Sequence, residues 1–264
     1  MESCFSYLKA DIKRCIHGKE FWVGNLCCFL ILYFSGLSYI KYEVSVWSLL
    51  NIVTATMPFL LLLSFASMTY SDCFCADVEN KYVQQMLIRG KLWSYVLAKT
   101  IVIQLSTMLT VFISTVAYIF YLRVKLPWFY EGEKEELGLH RYTSMADMPF
   151  LYVIAEILKF AVLAGILGIL AAYISLYIRN RLLLLTVPLM VYYFAMYYTG
   201  GLKGDFVIFR MELVYIPFCG DLIWEYAYQS YLWAMAIAAI LAVVLNIAII
   251  KKIRKDLGES CINL

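Results

Sequence analysis

The side chains that are most unusual for their setting are Glu156 and Lys159, which lie inside a long apolar stretch. Their spacing of three residues places them on one face of a helix, where they can pair. A charge at the centre of a bilayer costs about 2.5–3.5 kcal/mol on insertion scales. Such a pair can contact a transported molecule or form a gate, or it can be a structural ion pair or two groups that reach the headgroups. Lys99, near the inner end of another apolar stretch, is expected to extend to the headgroups.

Other patterns that could carry chemistry are absent from the sequence. Cys73-Phe74-Cys75 has no second pair of metal ligands nearby, and the two histidines, His17 and His140, fall on opposite sides of the predicted membrane. No segment matches the phosphate-binding pattern G-x-x-x-x-G-K-S/T. We therefore expect no catalytic residue, no metal site and no cofactor in this chain, and any use of ATP must depend on another protein.

The composition indicates a membrane protein. Of 264 residues, 63% are apolar and 16% are charged, against about 45–50% and 25% in soluble globular proteins. A helix needs about 20 residues to cross the hydrocarbon core, and the alternation of a β-barrel is not visible. The sequence therefore predicts an all-α integral membrane protein of one domain, residues 1–264, with six transmembrane helices: Phe21–Ile40, Leu49–Tyr70, Trp93–Leu122, Pro149–Ile178, Leu182–Thr199 and Ser230–Ile250.

The distribution of basic residues predicts the orientation. If the amino terminus is inside, thirteen of the 22 Lys and Arg residues lie in inside segments and seven lie in outside segments. Cytoplasmic loops carry the excess of Lys and Arg. We therefore expect a multi-pass protein of the cell membrane with both termini in the cytoplasm, where most of its cysteines stay reduced.

Two amphipathic segments lie on the predicted cytoplasmic side. In residues 1–20, apolar side chains recur at helical spacing, which is typical of a helix in the membrane interface, although the segment can also be a basic flank of the first span. In residues 71–92, Phe74, Val78, Tyr82 and Met86 stand four apart, and charged residues fill the other faces. Such a helix lies on lipid or docks in a groove of a partner, and its mixed charge favours a protein partner.

The two predicted outer segments differ in character. Residues 124–148 are polar and acidic, as expected for a solvated loop. Residues 200–229 are rich in aromatic and aliphatic side chains and are interrupted by Pro217 and Gly220. We expect this segment to form two short re-entrant helices that are buried against the other spans.

Several runs resemble the ABC-2 type permeases, the membrane subunits of ATP-binding-cassette exporters. They cover the connector and the segment before the first span, and they read Asp77-Val78-Glu79-Asn80-Lys81, Met86-Leu87-Ile88-Arg89-Gly90, Tyr95-Val96-Leu97-Ala98-Lys99 and Leu8–Trp22. The six spans and the apolar segment before the last span also match the pattern. The chain departs from it at Lys81-Tyr82, where members often carry Gly and a small hydroxyl residue.

The resemblance implies a coupling helix in the connector, seated in a cleft of a separate cytosolic ATPase that binds ATP and magnesium. The residues at matching positions are Phe74, Asp77, Val78, Glu79, Tyr82, Met86 and Arg89. It also implies a second permease copy, in a homodimer or a paired heterodimer, with contact between the first and fifth spans. The aromatic residues of the fifth span form either an interfacial belt or a surface that lines the path of the cargo. The candidate cargo or gate residues are Glu156, Lys159, Tyr193 and Tyr197.

The expected function is therefore outward, ATP-driven movement of an amphipathic or hydrophobic cargo, with a peptide as the favoured class. Membrane lipid is the other expected partner, and nucleic acid is not expected. One alternative is a sensor or immunity subunit that binds a peptide without transport. An integral membrane enzyme is less favoured, because no predicted span contains a histidine.

Overall fold

The structure, a computed structural model, describes residues 2–43, 45–80, 82–83, 92–130, 149–178, 180–210, 214–217 and 227–262. Within these ranges the regular structure is helical, without a strand. The described residues form nine α-helices, in this order: α1 Glu2–His17, α2 Lys19–Leu37, α3 Val46–Ala55, α4 Met57–Ser67, α5 Cys73–Glu79, α6 Leu92–Arg123, α7 Pro149–Ser175, α8 Arg181–Gly200 and α9 Ala227–Ile262. A short 3₁₀ helix, Gly204–Phe209, follows α8.

In the part of the chain that the structure describes, four helical stretches are long and apolar enough to cross a membrane: Lys19–Leu37, Leu92–Arg123, Val153–Ser175 in α7 and Gln229–Asp256 in α9. The pair α3 and α4 adds a fifth crossing if it is one bent span. The chain is thus a helical membrane protein. Helix α8 coincides with the predicted fifth span, and the count of six spans stays a prediction.

The predicted second span, Leu49–Tyr70, is not one straight helix. It is divided into α3 and α4, which are bent by 78° relative to each other. Thr56, between them, has extended backbone at φ −82° and ψ 150°. Pro58 stands in the first turn of α4. Because proline has no N–H, it cannot donate to the carbonyl of Thr54 four residues earlier, and the helix breaks there.

Helix α6 is central: it packs against α1, α2 and α7. Two glycines of α7 allow the close approach of these helices. A Cβ atom on Gly168 would lie 2.7 Å from Cγ2 of Thr107, and one on Gly165 would lie 2.8 Å from Cγ of Gln104. The small residues of this predicted span therefore serve helix packing, as expected for membrane helices.

Helix α1 packs its apolar face onto the rest of the chain. Leu8 and Ile12 are partly buried against a core that also contains Cys15 and the start of α6, whereas Phe5 is exposed. Gly18 links α1 to α2 with extended backbone. The contact of α1 with lipid stays a prediction.

The described part of the predicted outer re-entrant segment lies against the start of α9. The indole of Trp233 donates to the carbonyl of Ile208 at 2.9 Å, and the hydroxyl of Tyr215, which is buried, donates to the carbonyl of Ala234 at 2.9 Å. Val214 and Tyr215 are buried, but Phe206 and Phe209 are 63% and 44% exposed, so the predicted burial holds for only part of the described segment. Most of residues 211–226, and residues 131–148 of the outer loop, lie outside the described residues.

Candidate functional site

The connector between α4 and α6 contains the short helix α5, which presents two different faces. Cys73, Phe74 and Asp77 are buried, whereas Val78, Glu79 and Tyr82 are exposed. At the end of the helix, the side-chain amide of Asn80 donates to the carbonyl of Ala76 at 2.8 Å, and the backbone N–H of Asn80 donates to the same carbonyl at 3.0 Å. One face of α5 is therefore fixed to the chain, and the other is accessible.

Asp77 joins three helices through one buried carboxylate. Nη1 of Arg14, in α1, lies 3.0 Å from Oδ1. The hydroxyl of Tyr95 donates to Oδ2 at 2.6 Å, and Nζ of Lys99 donates to the same oxygen; both belong to α6. The hydroxyl of Tyr70, just after α4, donates to Oδ1 of Asp11 at 3.0 Å on the neighbouring turn of α1. We call Arg14, Asp77, Tyr95 and Lys99 the Asp77 cluster.

Lys99 is fully buried, contrary to the prediction that it extends to the headgroups. Its ammonium lies 5.4 Å from the centre of the Phe74 ring and 5.1 Å from that of the Tyr95 ring. Aromatic faces stabilise a nearby cation. The prediction was wrong because Asp77 provides a buried counter-charge, and a charged side chain with a counter-charge need not reach water.

Two carboxyl groups at this site have pKa values shifted in opposite directions. Burial acts to raise the pKa of Asp77, but Lys99, with the hydrogen bonds from Lys99, Tyr95 and Arg14, outweighs it and lowers the pKa. Burial raises the pKa of Asp11, and Lys99 and Tyr70 offset this only in part. Asp77 therefore stays ionised, and its carboxylate forms an ion pair with the Arg14 guanidinium.

The predicted coupling residues divide between the two faces of the connector. Val78, Glu79 and Tyr82 are on the accessible face, whereas the side chains of Phe74 and Asp77 point into the chain. Met86 and Arg89 lie outside the described residues. Sequence reasoning missed Arg14, Tyr95 and Lys99 as partners of Asp77, although the spacing of four between Tyr95 and Lys99 places them on one face of a helix.

The second candidate site is the pair Glu156 and Lys159 in the first half of α7. Nζ of Lys159 lies 2.9 Å from Oε2 of Glu156, although not with the geometry of a hydrogen bond. The predicted pairing is thus confirmed. The side chains are 1% and 0% exposed, and the hydroxyl of Tyr231, in α9, donates to Oε1 of Glu156 at 2.9 Å. The pair therefore links α7 to α9 in the protein interior.

The other two candidate cargo residues, Tyr193 and Tyr197, lie on an exposed face of α8. Tyr193 lines an apolar concavity of about 530 Å³ between α4 and α8, together with Met57, Pro58, Leu60, Leu61, Leu189, Met190 and Phe194. Glu156 and Lys159 are thus buried between helices, whereas Tyr193 and Tyr197 lie on an exposed surface. The bend between α3 and α4 contributes to this concavity, because Met57 and Pro58 stand at the break.

Among the described residues, no group of three or more His, Cys, Asp or Glu side chains is placed to hold a metal ion. Of the described cysteines, Cys15, Cys27, Cys28 and Cys73 are free thiols. Comparisons of this chain with family models, with curated proteins and with solved structures found no match.

Proposed function

We propose that this chain is the membrane-spanning permease subunit of an ATP-driven exporter of the ABC-2 type. A separate cytosolic ATPase binds ATP and magnesium, and a second permease copy completes the transport path. The observation that carries the proposal is α5, a short helix between two membrane-crossing segments with one face fixed to the chain and the other exposed. A helix of this kind suits contact with a soluble partner.

The exposed face of α5 has the chemistry of a protein contact. Val78 and Tyr82, which follows the end of α5, are each 38% exposed and supply apolar area, and Glu79 supplies a charge. Apolar anchors with a polar rim are typical of interfaces between proteins. In this proposal Val78, Glu79 and Tyr82 contact the ATPase, whereas Phe74 and Asp77 support the contact from inside the chain.

The proposed cargo is amphipathic or hydrophobic, with a peptide as the favoured class. The concavity between α4 and α8 supports this, because its walls are apolar apart from the hydroxyl of Tyr193. Its volume of about 530 Å³ falls within the range of about 300–1,000 Å³ that ligand sites occupy. Tyr193 and Met190 are the residues whose replacement should change cargo selection.

The proposal is tested by purification of the affinity-tagged chain from its native cell in mild detergent. An ATPase subunit should co-purify in a fixed ratio and hydrolyse ATP. The double variant Glu79→Lys and Tyr82→Ala should lose the ATPase while the chain itself is recovered at the wild-type level. Lys9→Glu, an exposed charge reversal on α1, is the control and should retain it.

Two outcomes oppose the proposal. If no ATPase accompanies the wild-type chain, the proposed function is wrong. If an ATPase co-purifies equally well with the double variant, the contact is not on α5. Stimulation of ATP hydrolysis by a peptide cargo distinguishes a transporter from a sensor subunit, which would bind the peptide without a change in the rate.

A further inference from the structure

We infer that Asp77 is a positioning residue that locks α5 to α6 and α1, so that the three helices move as one unit. This inference rests on the proposed function for its role in transport, but the lock itself is a property of the isolated chain. The starting observation is the Asp77 cluster, in which one carboxylate receives donors from two other helices.

Lys99 makes separation of α5 from α6 unfavourable. Its side chain is 0% exposed and that of Asp77 is 4% exposed. If α5 moved away, the ammonium would lose its carboxylate and the Phe74 ring together, since both belong to α5. An uncompensated buried charge is strongly destabilising. A push on the exposed face of α5 is therefore transmitted to α6.

Arg14 extends the lock to α1 with a weaker contact. Its side chain is 52% exposed, whereas the carboxylate that it meets is 4% exposed. An ion pair that is open to water contributes less than a buried one. Apolar packing strengthens this contact, because Leu8 and Ile12 of α1 pack against the core that contains Phe74 and Tyr95. Asp77 therefore holds α5 strongly to α6 and more weakly to α1.

The lock is tested first on the isolated chain in lipid nanodiscs by hydrogen–deuterium exchange. Asp77→Asn should speed amide exchange at least about tenfold over the start of α6 and over α1, as well as in α5 itself. Asp72→Asn, which changes a half-buried carboxylate five residues earlier, is the matched control and should leave exchange over α6 unchanged. The double variant Asp77→Asn and Lys99→Met, which removes both charges, should restore slow exchange at the start of α6.

A second measurement uses the complex with the co-purified ATPase. Asp77→Asn should still bind the ATPase, although more weakly, because Val78, Glu79 and Tyr82 are unchanged while α5 is held less firmly; the response is therefore compared at saturating ATPase. Addition of ATP and vanadate should alter exchange in α6 of the wild-type complex, but not in α6 of Asp77→Asn or of the double variant with Lys99→Met, because both variants lack the contact between Asp77 and Lys99. If Asp77 had only a structural role, the double variant would regain the ATP response together with its slow exchange, although the contact is absent.

The outcomes separate this inference from the proposed function. If amides of α6 and α1 exchange in Asp77→Asn at the wild-type rate, the lock is refuted, whether or not an ATPase is found. An equal ATP response in the variant complex would also refute it. If no ATPase accompanies the wild-type chain, the proposed function fails, while the exchange data on the isolated chain still decide whether Asp77 joins the helices.

Discussion

Replacement of either member of the Glu156–Lys159 pair should destabilise the protein strongly, and replacement of both should not. The two side chains are 1% and 0% exposed and lie 2.9 Å apart. Lys159→Met leaves a buried carboxylate with the hydroxyl of Tyr231 as a donor. Glu156→Gln keeps an acceptor for Tyr231 but leaves the ammonium without its carboxylate.

The expected magnitude follows from the burial of the pair. Loss of one partner of a buried ion pair costs about 3–5 kcal/mol of unfolding free energy. At about 2–4 °C per kcal/mol for a chain near this size, each single variant should melt about 6–20 °C below the wild type. The double variant buries no charge, and comparable replacements of buried pairs are often neutral or stabilising by about 1–4 kcal/mol. It should therefore melt close to the wild type.

The assay is thermal unfolding in nanodiscs, followed by tryptophan fluorescence. Leu158→Met, a conservative change at an exposed position between the two charges, is the control and should melt with the wild type. The reasoning is refuted if the single variants melt with the wild type, or if the double variant falls as far as they do. A double variant that is stable but no longer transports would instead show that the pair contacts cargo.

Three further predictions concern packing and orientation. Gly168→Leu should separate α6 from α7 and lower the melting temperature, because a Cβ there would lie 2.7 Å from the Thr107 side chain. Overpacking of this kind costs about 1–3 kcal/mol of unfolding free energy. An unchanged melting temperature would contradict this prediction. Gly36→Ala should also lower the melting temperature, since its Cβ would lie 1.8 Å from the Tyr118 hydroxyl. Adding Tyr118→Phe, which removes that hydroxyl, should partly restore stability. If it does not do so in the same melting assay, the contact is not the cause. Val78→Cys should react with a membrane-impermeant maleimide only in inside-out vesicles, and labelling in intact cells would overturn the predicted orientation.

The helices were predictable from the sequence because they depend on local properties. Runs near 20 apolar residues predicted Phe21–Ile40 and Trp93–Leu122, and the structure contains Lys19–Leu37 and Leu92–Arg123. The bend of the second span was missed, although Pro58 marked it in the sequence. A hydropathy average over the whole run is insensitive to one missing N–H donor.

The sequence placed an amphipathic helix in the connector but did not show which of its faces is buried. Periodicity predicted that Phe74, Val78 and Tyr82 share one side, and the resemblance implied that Asp77 belongs to a contact surface. In the structure Asp77 is 3% exposed and Val78 is 38% exposed. The burial of a short helix depends on what lies beside it, and the partners of Asp77 are as far as 63 residues away in the chain.

Length, apolarity and the position of charges along the chain thus determined that this is a bundle of membrane helices with a polar connector. Only the tertiary structure decided that Lys99 stays inside with Asp77, that Arg14 joins them, and that Glu156 reaches Tyr231 on another helix. Hydropathy and helical period are properties of one segment. The pairing of charges depends on how the segments are packed, because a buried charge takes its partner from whichever helix lies against it.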